Sequence, residues 1–140
     1  INKKIKKSTK PDSILHQAYK MMGIPYLWGG NSTKGNDCSG FTQTIFKANG
    51  IQLPRDARQQ ALEGIEIIPN GDWSNILEGD LLFFGKEDRV THVGISLGKK
   101  EFIHQGGKVA VNSLDDGSEY FSSDRLKSFL FIKRILRQSS

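Results

Sequence analysis

Asn36-Asp37-Cys38-Ser39-Gly40-Phe41 carries the only cysteine of the 140 residues. A lone thiol cannot form an internal disulfide. Cys38 is therefore either a small buried hydrophobe or a reactive group. A loop rich in Gly, Asn and Ser runs into it. A helical pattern follows, with Phe41 and Ile45 on one side, until Gly50 stops it. That spacing puts Cys38 in the first turn of a helix, where unpaired backbone N–H groups and the positive end of the dipole favour a thiolate. Two histidines lie downstream in strand-like segments, His92 in Thr91-His92-Val93-Gly94-Ile95 and His104 in Phe102-Ile103-His104. One cysteine with distant histidines is the outline of a nucleophile, its base, and a group that orients the base.

On the N-terminal side, Asp12 or Ser13 can cap a first helix with Ile14, Leu15, Ala18 and Met22 at helical spacing. Gly23 and Pro25 end it, and residues 24–37 form the loop that delivers Cys38. The second helix runs to about residue 49. Leu53-Pro54-Arg55-Asp56 opens a short third helix over 56–63, closed by Gly64. The period then changes. Residues 81–84, 90–97, 101–104, 109–114 and 129–136 read as strands separated by Gly-rich or charged turns. Helices first and strands after argue an α+β fold with an antiparallel sheet.

Alternation along 90–97 sorts the side chains. Thr91, Val93, Ile95 and Leu97 are mostly apolar and are expected to face the core. His92 then points the other way beside Gly94 and Ser96, small neighbours that leave room for another element such as the helix carrying Cys38. The turn at Gly98-Lys99-Lys100 pairs this strand with the next, so the imidazoles of His92 and His104 are expected side by side.

The length fits one domain with a core of its own and no disulfide staples. No apolar run reaches membrane-spanning length, and residue 1 opens no signal-peptide pattern. A chain starting at Ile1 rather than Met reads as a mature or excised fragment. The net charge of +5 is local. Of the 20 basic residues, Lys3, Lys4, Lys6, Lys7 and Lys10 stand in the first ten positions, and the rest are balanced by 15 acidic residues. The basic character is thus a terminal arm over 1–10, read as a solvated linker ahead of a domain over 11–140, with a role on an anionic cell-wall or membrane surface ranked below it and no nucleic-acid partner expected.

Tyr26-x-Trp28-Gly29-Gly30, Asp37-Cys38-Ser39-Gly40-Phe41, Leu53-Pro54-Arg55, Gly79-Asp80-Leu81-Leu82-Phe83-Phe84, His92-Val93-Gly94-Ile95 and Phe102-Ile103-His104 follow one another in an order that resembles the NlpC-type cysteine peptidases. These are papain-like enzymes of bacterial cell-wall turnover, and the resemblance runs from about residue 11 to 137. It implies a nucleophile at a helix N-terminus packed on an antiparallel sheet. It also implies cleavage of peptidoglycan stem peptides between D-γ-glutamate and a diamino acid. By motif, Cys38 is the nucleophile, His92 the general base and His104 the residue that orients His92. The Cys38 N–H and the Tyr26 hydroxyl are the oxyanion donors, Asp37 and Ser39 hold the free amino end of the stem peptide, and Arg55 meets a substrate carboxylate. The resemblance further implies no metal or cofactor, a monomer, lost N-terminal SH3-like modules, and a periplasmic or secreted setting in the cell envelope.

Other readings stand beside these. Tyr26 can equally be a core residue, Trp28 a packing anchor for its loop, His16 a surface residue, and Asp80 a turn former. Cys38, His92 and His104 can supply three zinc ligands, but no close ligand pair or placed carboxylate accompanies them. A related papain-like amidase or acyltransferase would use the same nucleophile on another bond. A non-catalytic wall-binding module would have no need of the cysteine and both histidines.

Overall fold

The helical layer begins where apolar residues recur at helical spacing. In the computed structural model, which describes residues 11–23 and 37–136, helix α1 (Pro11–Lys20) buries Ile14, Leu15 and Ala18. His16 is exposed, as expected. Met22 lies in the turn after α1 and is exposed, so it is not part of the buried face. Helix α2 (Cys38–Ala48) buries Phe41, Ile45 and Phe46. Its N-cap is Asp37, whose Oδ1 accepts the Gly40 N–H at 2.6 Å, a contact worth about 1 kcal/mol. Helix α3 (Ala57–Gln60) is shorter than the 56–63 expected from sequence. A turn follows it rather than further helix. The arm over 1–10 and the loop holding Tyr26 and Trp28 lie outside the described residues.

Six strands follow: β1 (Ile65–Ile67), β2 (Leu81–Lys86), β3 (Arg89–Gly98), β4 (Glu101–Gln105), β5 (Val109–Ser113) and β6 (Phe129–Arg134). Between β5 and β6 lies helix α4 (Ser123–Ser128), capped by the Ser122 hydroxyl on the Arg125 N–H. The strands make one antiparallel sheet in the order β1-β6-β2-β3-β4-β5. Sequence had indicated neither β1 nor α4. The last strand enters the sheet between β1 and β2, a non-local pairing that no turn signal announces. The β2–β3 turn is two residues, Glu87 and Asp88, both at positive φ, the geometry that matches the twist of paired strands.

The sheet is buried on both faces. On one, Phe41, Ile45 and Phe46 of α2 pack with Phe83, Val93, Ile95 and Ile103. On the other, Leu82, Phe84, Phe102 and Ile132 pack with Ile76 and Leu114. This explains why Leu81-Leu82-Phe83-Phe84 is apolar throughout and not alternating: every one of its side chains is buried.

Asp80 forms the expected turn, with its Oδ2 accepting the Leu77 N–H at 2.9 Å. It also does more. Its carboxylate is 2% exposed and takes both Nε and Nη2 of Arg134 at 2.8 Å, while Nη2 also donates to the Asn75 carbonyl. This two-point pair ties β6 to the turn before β2. Asp80→Ala leaves the largely buried Arg134 guanidinium without its anion and is expected to cost about 3 kcal/mol in chemical denaturation. The exposed Glu66→Ala, on β1, is expected to change stability by less than about 0.5 kcal/mol.

Candidate active site

Cys38 is half-buried at the start of α2. Asp37 turns the chain into the helix, and Thr42 Oγ1 donates to the Cys38 carbonyl at 3.0 Å. The sulfur receives the backbone N–H of Val93 and that of Ser39. Val93 follows His92 directly, so the thiol lies against β3 at the level of that histidine. Pairing of β3 with β4 runs from Ile95 opposite Ile103 to Gly98 opposite Glu101. Val93 precedes this stretch. The helix start was expected to favour a thiolate. Burial instead pushes the Cys38 pKa above its ordinary value, with a smaller contribution of the same sign from Asp37. The two N–H groups and Arg125 oppose this without overcoming it. Cys38 therefore rests as a thiol.

The two histidines lie side by side, as the short β3–β4 turn implied. His92 Nε2 and His104 Nδ1 are 2.7 Å apart, and the rings meet edge to face with centroids 4.9 Å apart. Both are buried. A third group extends the row: His104 Nε2 lies 2.8 Å from Asn112 Oδ1, and Asn112 Nδ2 donates to the Tyr120 carbonyl at 3.1 Å. This last bond fixes the amide orientation, and the tautomers follow from it. Asn112 Oδ1 accepts, so His104 Nε2 carries the proton. Neutral His104 then accepts at Nδ1, so His92 donates from Nε2. The lone pair of His92 is thereby left on Nδ1. Burial lowers the pKa of both rings, with Arg125 adding to the effect: to about 2 at His92, where the charge on His104 contributes further, and to about 4 at His104, where the Asn112 hydrogen bond partly offsets it. Both are neutral at pH 7.

The room beside His92 is filled differently from the sequence expectation. A side chain at Gly94 would come within 2.9 Å of the Phe102 ring and 3.2 Å of His104 Cβ. The absence of a Cβ there lets His104 and Phe102 approach β3, and α2 packs with Val93 and Ile95 instead.

Asp37, Ser39 and Arg55 come together, but not as three independent substrate contacts. Arg55 Nη2 donates to Asp37 Oδ2 at 2.9 Å and Nη1 to Ser39 Oγ at 3.0 Å. Arg55 was expected to meet a substrate carboxylate; it already holds a carboxylate of its own chain, because Asp37 stands opposite it. Both side chains remain about 40% exposed, Arg55 at 39% and Asp37 at 40%. Ser39 is nearly buried, and its carbonyl accepts from Gln60 Nε2, which also bonds the Pro54 carbonyl. Gln60 thus fixes the Arg55 segment against the helix start. Tyr26 lies outside the described residues.

Two residues beside the site escaped sequence reasoning. Asn112 had a usable signal. His104 pairs with Ala110, and Asn112 is two positions further on the same face, a diagonal neighbour within reach of a long side chain. Arg125 had none, since α4 itself was not indicated.

The family model described as the NlpC/P60 family matches residues 23–127. The chain is 46% identical over 101 residues, 70% of its length, to the γ-D-glutamyl-L-lysine dipeptidyl-peptidase of Bacillus subtilis, and spans 32% of that protein. Its fold matches the crystal structure of an NlpC/P60 family protein from Bacillus cereus with a TM-score of 0.75 and 29% identity, over 92% of this chain and 41% of that one. It also matches the NlpC/p60 domain of the peptidoglycan hydrolase SagA with a TM-score of 0.67 and 31% identity, over 89% of this chain and 98% of that one. The lone cysteine opening α2, the antiparallel sheet beneath it and these matches agree, and the chain belongs to the NlpC/P60 family of papain-like cysteine peptidases.

Proposed function

We propose that this domain hydrolyses peptidoglycan stem peptides at the bond between D-γ-glutamate and the diamino acid, and that it prefers a free N-terminal L-Ala. The observation that carries the reading is the row from His92 through His104 to Asn112, which leaves the lone pair of His92 on Nδ1, together with the Cys38 sulfur accepting the N–H of the next residue, Val93. The choice of bond is supported by the relative from Bacillus subtilis, which bears a γ-D-glutamyl-L-lysine specificity in its name. Family membership supports a cell-envelope or extracellular role.

The chemistry follows from these groups. His92 Nδ1 takes the thiol proton as sulfur attacks the γ-carbonyl. Thiol and imidazole are both neutral at rest, so proton transfer accompanies attack and does not precede it. The oxyanion is held by the Cys38 N–H and the Tyr26 hydroxyl. Collapse breaks the C–N bond, and imidazolium returns the proton to the leaving amine. Water, deprotonated by His92, then cleaves the thioester to give the free γ-carboxylate and restore the thiol. His104 stabilises the imidazolium form by accepting from Nε2. The rest of a longer protein, including SH3-like modules joined through the arm, would select among diamino acids.

The amino end is assigned to Asp37. Its carboxylate is partly exposed and has acceptor sites beyond those used by Gly40 and Arg55. Mass spectrometry of muropeptide digests identifies the bond. L-Ala-γ-D-Glu-L-Lys is expected to be cut at least about tenfold faster than its N-acetylated form. Asp37→Asn is expected to narrow the gap while preserving the fold, since Asn caps a helix as well as Asp does. Equal rates on the two peptides would remove the recognition role of Asp37. They would direct attention to intact wall strands, where the L-Ala amine is blocked.

A further inference from the structure

With Arg55 committed to Asp37, the cleft needs another explanation for how it would hold an anionic substrate. Arg125, on α4, is half-buried. Its guanidinium carbon lies 5.7 Å from the centre of the Phe84 ring. Phe84 in turn touches the His92 ring, with centroids 5.6 Å apart. On its other side Nη2 is 3.3 Å from the position a Cβ would take at Gly106, itself 3.1 Å from His104 Cε1. The absence of a Cβ at Gly106 thus lets the guanidinium and the second imidazole both come close to this point of the chain. Among the described residues the guanidinium has no hydrogen-bond or ion-pair partner. The cation–π contact that the structure gives it is with Phe84.

The geometry points to Arg125 as the anion site of this cleft: it pairs with the α-carboxylate of the γ-linked glutamyl residue whose γ-carbonyl Cys38 attacks. This assignment rests on the function proposed above. In such a substrate three carbons separate the reacting carbonyl from the carboxylate. An anion anchored at Arg125, which reaches His92 through the Phe84 ring, therefore keeps the carbonyl within a few bonds' length of the groups beside that ring. A planar fork is suited to a carboxylate, which it can grip at two points.

The electrostatics agree. The Arg125 charge is felt by Cys38, His92 and His104 alike, which places all of them in one neighbourhood. Burial lowers the Arg125 pKa, with the charges of Cys38 and Asp124 opposing the shift. A desolvated cation with no partner is unfavourable. It also disfavours the imidazolium that His92 must become during attack. An arriving carboxylate relieves both costs at once, so the arrangement suits a substrate that brings its own anion.

The test uses the 140-residue chain and two tripeptides, L-Ala-γ-D-Glu-L-Lys with its glutamyl α-carboxylate free or converted to the carboxamide. Wild type is expected to favour the carboxylate by about 10- to 100-fold in kcat/KM, the range of a charge-assisted pair. Arg125→Gln is expected to bring the ratio to within about twofold, through a loss on the carboxylate peptide and, because the cation no longer opposes the His92 imidazolium, some gain on the carboxamide. Arg125→Lys, which keeps the charge and loses the fork, is expected to fall between. A wild-type ratio near one overturns the assignment without any variant. So does an equal loss on both peptides in Arg125→Gln, the mark of a residue that only supports the histidines or the fold. Should Arg125→Gln fail to fold, an Arg125→Lys ratio unchanged from wild type counts against the assignment and a reduced one for it. Product masses separate this question from the broader one. Cleavage at the γ-glutamyl bond with an unmoved ratio removes only the role of Arg125. Absence of cleavage there removes the proposed function and this assignment together.

Discussion

Cys38→Ala and Cys38→Ser are each expected to lower stem-peptide hydrolysis by roughly 10³-fold or more with the fold retained. Alanine removes the nucleophile. Serine keeps the size but offers a hydroxyl far harder to deprotonate than a thiol, and His92 is a weak base in this buried setting, held to about 2 by burial, Arg125 and His104. A small residue fits the half-buried start of α2, and the Asp37 cap and the Phe41, Ile45 and Phe46 face remain. Thermal unfolding of the variants is therefore expected to match wild type closely. Iodoacetamide is expected to abolish wild-type activity and EDTA to leave it. Near-wild-type turnover by Cys38→Ser would refute nucleophilic catalysis by Cys38. Inactivation by EDTA would favour the zinc reading.

The second large effect is expected at the histidines, and it is unequal. His92→Ala removes the proposed proton carrier and is expected to cost roughly 10³-fold in kcat, within the range of general acid–base catalysis. His104→Ala is expected to cost less, because a water in the vacated space can still accept from His92 Nε2. A larger loss at His104 would reverse the roles. The pH profile gives an independent check. The reaction needs both rings neutral at the outset. Burial, aided by Arg125, lowers both pKa values, to about 2 and about 4. Protonation is thus delayed to more acid solution. The acid limb of kcat/KM is expected well below pH 6.5, the ordinary imidazole value. A limb at or above pH 6.5 would mean that the row is open to water during turnover.

Much of this arrangement was legible in local sequence. Asp37 before Cys38, with Phe41 and Ile45 at helical spacing, specifies a capped helix that begins at the thiol, because capping and one-sided burial act within a few residues. The turn at Lys99 and Lys100 is short, so the pairing of the strands bearing His92 and His104 needed no long-range information. The Gly98 and Lys99 backbones take positive φ there.

Other features depend on where distant segments end up. The alternation in β3 correctly separated His92 from Val93 and Ile95, but it could not say what covers the histidine face. That face is closed by Phe84 and Phe102 and flanked by Arg125, brought from separate elements. The thiol illustrates the same limit. Its helix start, a local feature, favours ionisation, but burial by the assembled fold outweighs it. Arg55 and Asp37 each looked available to substrate in sequence, and their opposite charges found each other across 18 residues. Arg134 reached Asp80 across 54 residues once β6 had entered the sheet beside β2. The sequence by itself determined the helix start at Cys38, the neighbouring imidazoles of His92 and His104 and the helix and strands that carry them, because those rest on spacing and caps. Tertiary structure decided which charges are paired, which ring nitrogen keeps its lone pair and which cation is left without an ion pair among the described residues, because desolvation and hydrogen bonding depend on every element that packs around the site.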